Sequence, residues 1–190
     1  MSGRNATIGI VLAAGLSQRF GGDKLLFPLQ GKPLAAHIAA TLAALDVEHC
    51  IAICSTSEQR QMLFAAQGFE VIENADPGRG MASSLGLGAK RALELEAARM
   101  LVCLADMPFV TAAHLRLLMA AQGDVVATEA EGVRSPPAVF ARDTFTALRQ
   151  LTGDGGARHM LRNAAVVHAT PAMVRDFDAP SDFRQAGEQL

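Results

Sequence analysis

The segment Val11-Leu12-Ala13-Ala14-Gly15-Leu16-Ser17-Gln18-Arg19-Phe20-Gly21-Gly22-Asp23-Lys24 runs from an apolar strand into a glycine-studded loop that ends on a lysine. Glycine lets the main chain turn sharply and approach a ligand closely, and successive N–H groups in such a turn can face an anion. Arg19 and Lys24 supply the positive charge a polyphosphate needs. The segment lacks G-x-x-x-x-G-K-[ST] and does not begin a G-x-G-x-x-G fingerprint, which excludes two common nucleotide signatures. A second candidate is Leu104-Ala105-Asp106-Met107-Pro108, where a carboxylate directly follows the apolar run Met100 to Leu104. Mg²⁺ takes one or two protein carboxylates and fills its remaining positions with phosphate and water, so Asp106 facing a phosphate loop suffices as an anchor. Asp176-Phe177-Asp178-Ala179-Pro180 offers another carboxylate, because alternation in an extended segment turns Asp176 and Asp178 to one side and Phe177 to the other. In Gly78-Arg79-Gly80-Met81-Ala82-Ser83-Ser84-Leu85, two glycines permit close approach and two hydroxyls can either read a base edge or cap a helix. Leu151-Thr152-Gly153-Asp154-Gly155-Gly156-Ala157-Arg158 is glycine-rich and charged, suited to a second substrate or a subunit contact.

Short apolar, β-branched runs alternate with alanine- and leucine-rich stretches of helical period, the pattern of a parallel sheet covered on both faces. The expected fold is α/β, one doubly wound, mostly parallel sheet in a single domain over residues 1–190. Strands are expected at Thr7 to Ala13, Cys50 to Cys54, Phe69 to Glu73, Met100 to Leu104 and Asp124 to Thr128. Helices are expected at Pro33 to Leu45, Glu58 to Gln67, Ser83 to Ala97 and Thr111 to Ala121, the last capped by Thr111. The final third predicts an edge strand at Ala138 to Ala141 and helices near Asp143 to Leu151 and Gly156 to Asn163. A short strand at Met173 to Phe177 and a closing helix from Ser181 complete it. In such a sheet ligands gather beyond the carboxyl ends of the strands, where the candidate residues lie.

Half of the chain is hydrophobic and its formal net charge is -2, so there is no basic excess to sheathe a nucleic-acid backbone. No apolar run approaches the length of a membrane span, and the amino terminus carries no signal-peptide pattern, which predicts a cytoplasmic protein. Cys50, Cys54 and Cys103 sit in apolar segments and read as buried, free thiols. The five histidines form no H-x-x-x-H pair.

Taken together, Leu12-Ala13-Ala14-Gly15-Leu16-Ser17-x-Arg19-x-Gly21-x-x-Lys24, Gly31-Lys32-Pro33-Leu34, Gly80-Met81-Ala82-Ser83-Ser84-Leu85 and Leu104-Ala105-Asp106-Met107-Pro108 resemble the molybdenum cofactor nucleotidyltransferases in order and spacing. Gly153-Asp154-x-Gly156-Ala157-Arg158 and Asp176-x-Asp178-x-Pro180-x-Asp182 extend the resemblance to the carboxyl end, and the cytidylyltransferase branch is the nearest. The resemblance implies a Rossmann-like nucleotidyltransferase fold and transfer of CMP from CTP to the phosphate of molybdopterin, giving molybdopterin cytosine dinucleotide and pyrophosphate. It implies that Leu12, Ala13, Ala14, Gly15, Ser17, Gly80, Ser83 and Ser84 bind the nucleotide, that Arg19 and Lys24 act on its phosphates with Asp106, and that Asp106 and Asp178 hold Mg²⁺. A molybdoenzyme or its maturation factor is the implied partner. Where the guanylyl branch carries a second glycine this chain has Ala14, which favours cytidine. Ser135-Pro136-Pro137 replaces the family's Gly-x-Pro and Asp178-Ala179-Pro180 its Asp-Thr-Pro, which leaves the acceptor open. Alternatives are transfer to a sugar phosphate or isoprenoid precursor, GTP-dependent guanylyl transfer, and a non-catalytic cofactor-binding chaperone.

Overall fold

The computed structural model describes residues 6–17, 20–153 and 155–186. The β-branched run Thr7–Ala13 forms β1, buried along nearly its whole length. A two-residue hairpin follows, β2 (Pro28–Leu29) and β3 (Lys32–Pro33), and Pro33 leads into α1 (Leu34–Ala43). Next come β4 (Cys50–Cys54), α2 (Glu58–Ala65), β5 (Glu70–Glu73), α3 (Met81–Glu94) and β6 (Arg99–Leu104). The Thr111 hydroxyl accepts from the His114 N–H and caps α4 (Ala112–Ala120), as expected from the sequence. The chain continues through β7 (Val125–Ala130), β8 (Val133–Ala141), α5 (Phe145–Arg149), α6 (Arg158–Leu161), β9 (Ala165–His168) and α7 (Pro180–Gln185).

One seven-stranded sheet has the order β5-β4-β1-β6-β8-β7-β9, with β8 the strand that runs antiparallel to its neighbours. This is the expected α/β, mostly parallel, doubly wound architecture. Alternation along β1 sends Ile8, Ile10 and Leu12 to one face, against Leu85 and Ala89 of α3, Phe145 and Leu148 of α5, and Leu161 of α6. Val11 and Ala13 face the other side, against α1, Phe64 of α2, Leu115 and Leu118 of α4, and Phe183 of α7. Both faces press close: a Cβ on Gly9 would lie 2.8 Å from Leu42 Cδ1, and one on Gly88 2.9 Å from Ile10 Cδ1. Among the described residues no helix is long and apolar enough to cross a membrane. The three cysteines are free. Burial pushes the Cys54 thiol up to about 12, and that of Cys103 above its ordinary value.

The last third departs from expectation. The strand expected at the edge from Ala138 begins at Val133 and lies inside the sheet, between β6 and β7. Ser135-Pro136-Pro137 interrupts the apolar pattern there, yet the strand continues through a register irregularity between Ala127 and Thr128. The Thr128 hydroxyl donates to the Pro137 carbonyl at 2.7 Å. The edge belongs instead to β9, a four-residue strand paired with β7 and not expected from the sequence. Met173 to Phe177 is a turn followed by an extended segment. Its Phe177 N–H makes one bond, to the Asp106 carbonyl at 3.1 Å, and no ladder.

Candidate functional site

Leu12 pairs with Leu104 in the sheet register, so the loops leaving β1 and β6 emerge side by side at the carboxyl edge. Lys24 and Asp106 are thereby neighbours in space. The Lys24 Nζ donates to Asp106 Oδ2 at 2.7 Å and to Asp178 Oδ1 at 2.6 Å. Asp178 is brought in from the far end of the chain by two main-chain devices. Phe177 N–H donates to the Asp106 carbonyl, and the Asp182 carboxylate accepts the N–H groups of Asp178 (2.9 Å) and Ala179 (2.7 Å). Partial burial would raise the Asp182 carboxyl, but those two N–H donors and Arg175 hold it below its usual range. Burial alone would lower the Lys24 ammonium; Asp106 and then Asp178 outweigh it, so the lysine stays charged. The expected placing of Asp176 with Asp178 on one side is not seen, since Asp178 lines the cavity over the triad and Asp176 an adjoining one. Burial followed by the Asp178 and Asp106 carboxylates pushes the Asp176 carboxyl up.

A cavity of about 530 Å³ opens over this triad. It is lined by Leu12, Ala14, Gly15 and Ser17 from the end of β1 and the glycine loop, by Lys24, Asp106 and Asp178, and by Gly80 and Ser84 at the start of α3. Two of the residues implied for nucleotide contact lie elsewhere. Ala13 has its side chain in the core. Ser83 lines a separate cavity of about 300 Å³ with Arg79 and Thr152. Neither serine caps α3, which starts at Met81 with Gly80 as its cap. Both are held by Asn74, whose Nδ2 donates to Ser83 Oγ at 2.8 Å and Ser84 Oγ at 3.0 Å. Arg19 lies outside the described residues.

The triad carries two carboxylates against one ammonium, so a polyphosphate could join it only together with further cationic charge. Asp106 Oδ1 is buried with no hydrogen-bond partner among the described residues, a costly state that a bound cation would relieve. No cluster of three or more metal-ligating side chains occurs among the described residues. Two hard oxygen donors with room for phosphate fit Mg²⁺ or Mn²⁺, and Asp106 with Asp178 could hold either.

A second cavity, about 760 Å³, adjoins the first through Leu12, Met81 and Leu104. Ser135, Pro136, Arg158 and Asp176 line it, so the Ser135-Pro136-Pro137 departure and the Arg158 end of the glycine-rich segment meet there, while Asp178 lines the first cavity.

Arg60 was not apparent in the sequence. It stands in the first turn of α2, just after the Ser57 cap, where the helix dipole disfavours a cation. That misfit is the signal its sequence position carried. Arg60 is 5% exposed, and its guanidinium bonds to Ala13 at the end of β1 and to Gly15, Ser17 and Asp23 of the glycine loop.

Residues 9–169 match the family model described as the MobA-like NTP transferase domain. The chain is 28% identical over 193 residues to the purine catabolism protein PucB of Bacillus subtilis (strain 168), covering 93% of each. It is 32% identical over 112 residues to the molybdenum cofactor guanylyltransferase of Xanthomonas euvesicatoria pv. vesicatoria, a match spanning 59% of this chain and 53% of that protein. Among solved structures, Rv0371c from Mycobacterium tuberculosis H37Rv superposes with a TM-score of 0.84 at 22% identity, covering 96% of this chain and 98% of that one. A complex of Rv0371c with manganese gives 0.80 at 21% identity over 96% and 97%. The inositol-1-phosphate CTP transferase of T. maritima gives 0.76 at 14% identity over 98% and 97%. These structures share the fold, and with a family model spanning both the glycine loop and the strand that ends at Asp106, the chain belongs to the MobA-like NTP transferase domain family, a family of nucleotidyltransferases.

Proposed function

We propose that the chain transfers CMP from CTP to the phosphate of molybdopterin, releasing pyrophosphate. The observation that carries this reading is the Lys24 ammonium 2.7 Å from Asp106 and 2.6 Å from Asp178, all three lining one cavity with the glycine loop. An acceptor phosphate oxygen forms a bond to the α-phosphorus while the bond from that phosphorus to the α,β-bridging oxygen breaks, and the pair of electrons leaves with pyrophosphate. The acceptor phosphate is already an anion near neutral pH, so no side chain is required to take a proton. Ala14, Gly15 and Ser17 receive the triphosphate, Lys24 and Arg19 balance its charge, and Gly80 and Ser84 face the nucleoside. Asp106 and Asp178 would hold the divalent ion, Mg²⁺ in this reading, which when bound neutralises the triphosphate and the departing pyrophosphate. The adjoining cavity, with Arg158 and Ser135 on its wall, receives the acceptor.

Ala14, where a second glycine would favour guanosine, supports CTP. The guanylyltransferase relative supports GTP as the second reading. A panel of CTP, GTP, ATP and UTP with molybdopterin, read by pyrophosphate formation, tests both. CTP is expected to give the largest kcat/KM; a preference for GTP overturns the cytidylyl reading in favour of guanylyl transfer. A different phosphorylated acceptor supporting turnover where molybdopterin does not would reassign the acceptor, and binding without pyrophosphate release would make the chain a cofactor carrier.

A further inference from the structure

Arg60 is buried beneath the glycine loop, and its guanidinium reaches both ends of it. Nη1 donates to the carbonyls of Ala13 (2.9 Å) and Gly15 (2.7 Å), and Nη2 to the Ser17 hydroxyl at 3.3 Å. At the other end Nε donates to Asp23 Oδ2 at 2.6 Å, and Asp23 directly precedes Lys24. The remaining Asp23 oxygen accepts the Leu25 N–H at 3.1 Å and starts the short turn that carries Lys24. A trans peptide points its C=O and the following N–H in opposite directions. Drawing the Ala13 and Gly15 carbonyls onto the guanidinium therefore turns the N–H groups of Ala14 and Leu16 away from it. Both residues line the 530 Å³ cavity, and neither N–H donates to another main-chain group among the described residues.

We propose that Arg60 is the positioning residue of the phosphate cradle. It sorts the loop's peptide groups, carbonyls inward and N–H groups outward, so that the amides face a polyphosphate, and through Asp23 it sets where Lys24 begins. This deepens the nucleotidyl-transfer reading and rests on it. A lysine cannot take over: it offers one compact ammonium in place of a planar fork that meets two carbonyls, a hydroxyl and a carboxylate at once.

The test uses the full chain with Arg60→Lys and Asp23→Asn, the latter removing the negative charge and one of the two oxygens that accept from Arg60 Nε and the Leu25 N–H, while leaving the arginine in place. Thermal melting establishes that each variant is folded. Calorimetry with Mg²⁺-pyrophosphate and steady-state kinetics with CTP then read the cradle. Arg60→Lys is expected to weaken pyrophosphate binding and raise KM for the triphosphate, each by about tenfold or more, with a smaller change in kcat. Asp23→Asn is expected to move both in the same direction, and the double variant to lose clearly less than the product of the two single effects, because they act through one linkage; a full product overturns the linkage through Asp23. Wild-type pyrophosphate affinity in either folded variant overturns the positioning role while leaving the transfer reading intact. If the unmutated protein binds neither Mg²⁺-pyrophosphate nor any nucleoside triphosphate, the transfer reading itself falls, and the cradle with it.

Discussion

Lys24, Asp106 and Asp178 were legible because each is a charged residue set beside apolar ones, and open parallel sheets gather such residues at one edge. Their convergence has a consequence for turnover. Asp106 touches the Lys24 ammonium through Oδ2 and leaves Oδ1 buried without a partner among the described residues. Truncating it removes a proposed cation ligand and one of the two carboxylates that hold the lysine. Asp106→Ala is expected to stay folded, since Lys24 keeps Asp178, while pyrophosphate release falls by about 10²-fold or more. Circular dichroism beside the release assay checks both halves, and normal release in that variant removes Asp106 from the site. Arg60 was not legible in this way. A buried arginine two positions into a helix looks like any surface cation until the fold puts α2 beneath the loop leaving β1, and only its unfavourable place in the helix dipole hinted otherwise.

Among the elements, those built on apolar runs with clear punctuation were readable, with β1 and β4 found at the expected boundaries. β7 was readable too, but the Ser135-Pro136-Pro137 half of β8 and the edge strand β9 were not, because prolines break the apolar pattern of the one and the other is only four residues long. Thr128, fully buried, gives its hydroxyl hydrogen to the Pro137 carbonyl, so the 2.9 Å contact to His114 is a bond donated by Nε2 to the Thr128 oxygen. That chain ties α4 to the proline-bearing part of β8, beside Ser135 and Pro136 in the second cavity. Burial lowers the His114 pKa from its ordinary 6.5. The unfolded chain then binds the proton more readily than the native one. The stabilisation is complete above about 6.5 and is lost as pH falls from there toward the lowered native value. Melting temperature measured against pH is expected to drop below that point in the wild type and to drop less in His114→Gln. Parallel curves for the two proteins would remove His114 as the source.

Across the whole molecule, the aromatic residues explain how groups so distant in sequence are held in one register. Phe20, Phe27, Phe109, Phe177 and Phe183 form a chain of edge-on and tilted contacts, with Phe183 touching Phe20, Phe27 and Phe177 at centroid separations of 5.3, 4.9 and 5.0 Å. Phe109 meets Phe177 at 5.6 Å. Each segment that enters this cluster also delivers one member of the polar triad: Lys24 lies between Phe20 and Phe27, Asp106 just before Phe109, and Asp178 beside Phe177. Lys24 and two carboxylates could not by themselves repay the ordering of three segments, because ion pairs that remain partly wet contribute little. Apolar burial directly beneath them supplies that stabilisation. Phe183, fully buried on the six-residue α7, is therefore the point where the carboxyl end is fastened. Phe183→Ala is expected to cost about 3–5 kcal/mol in urea denaturation. It should also cost turnover in conditions where the variant is still folded, because loosening α7 frees the Asp182 clamp on Asp178, and Phe183→Leu should recover most of both. A Phe183→Ala protein with reduced stability but wild-type kcat/KM would mean that Asp178 is held by its own polar contacts, and that the aromatic cluster and the triad share three segments without depending on one another.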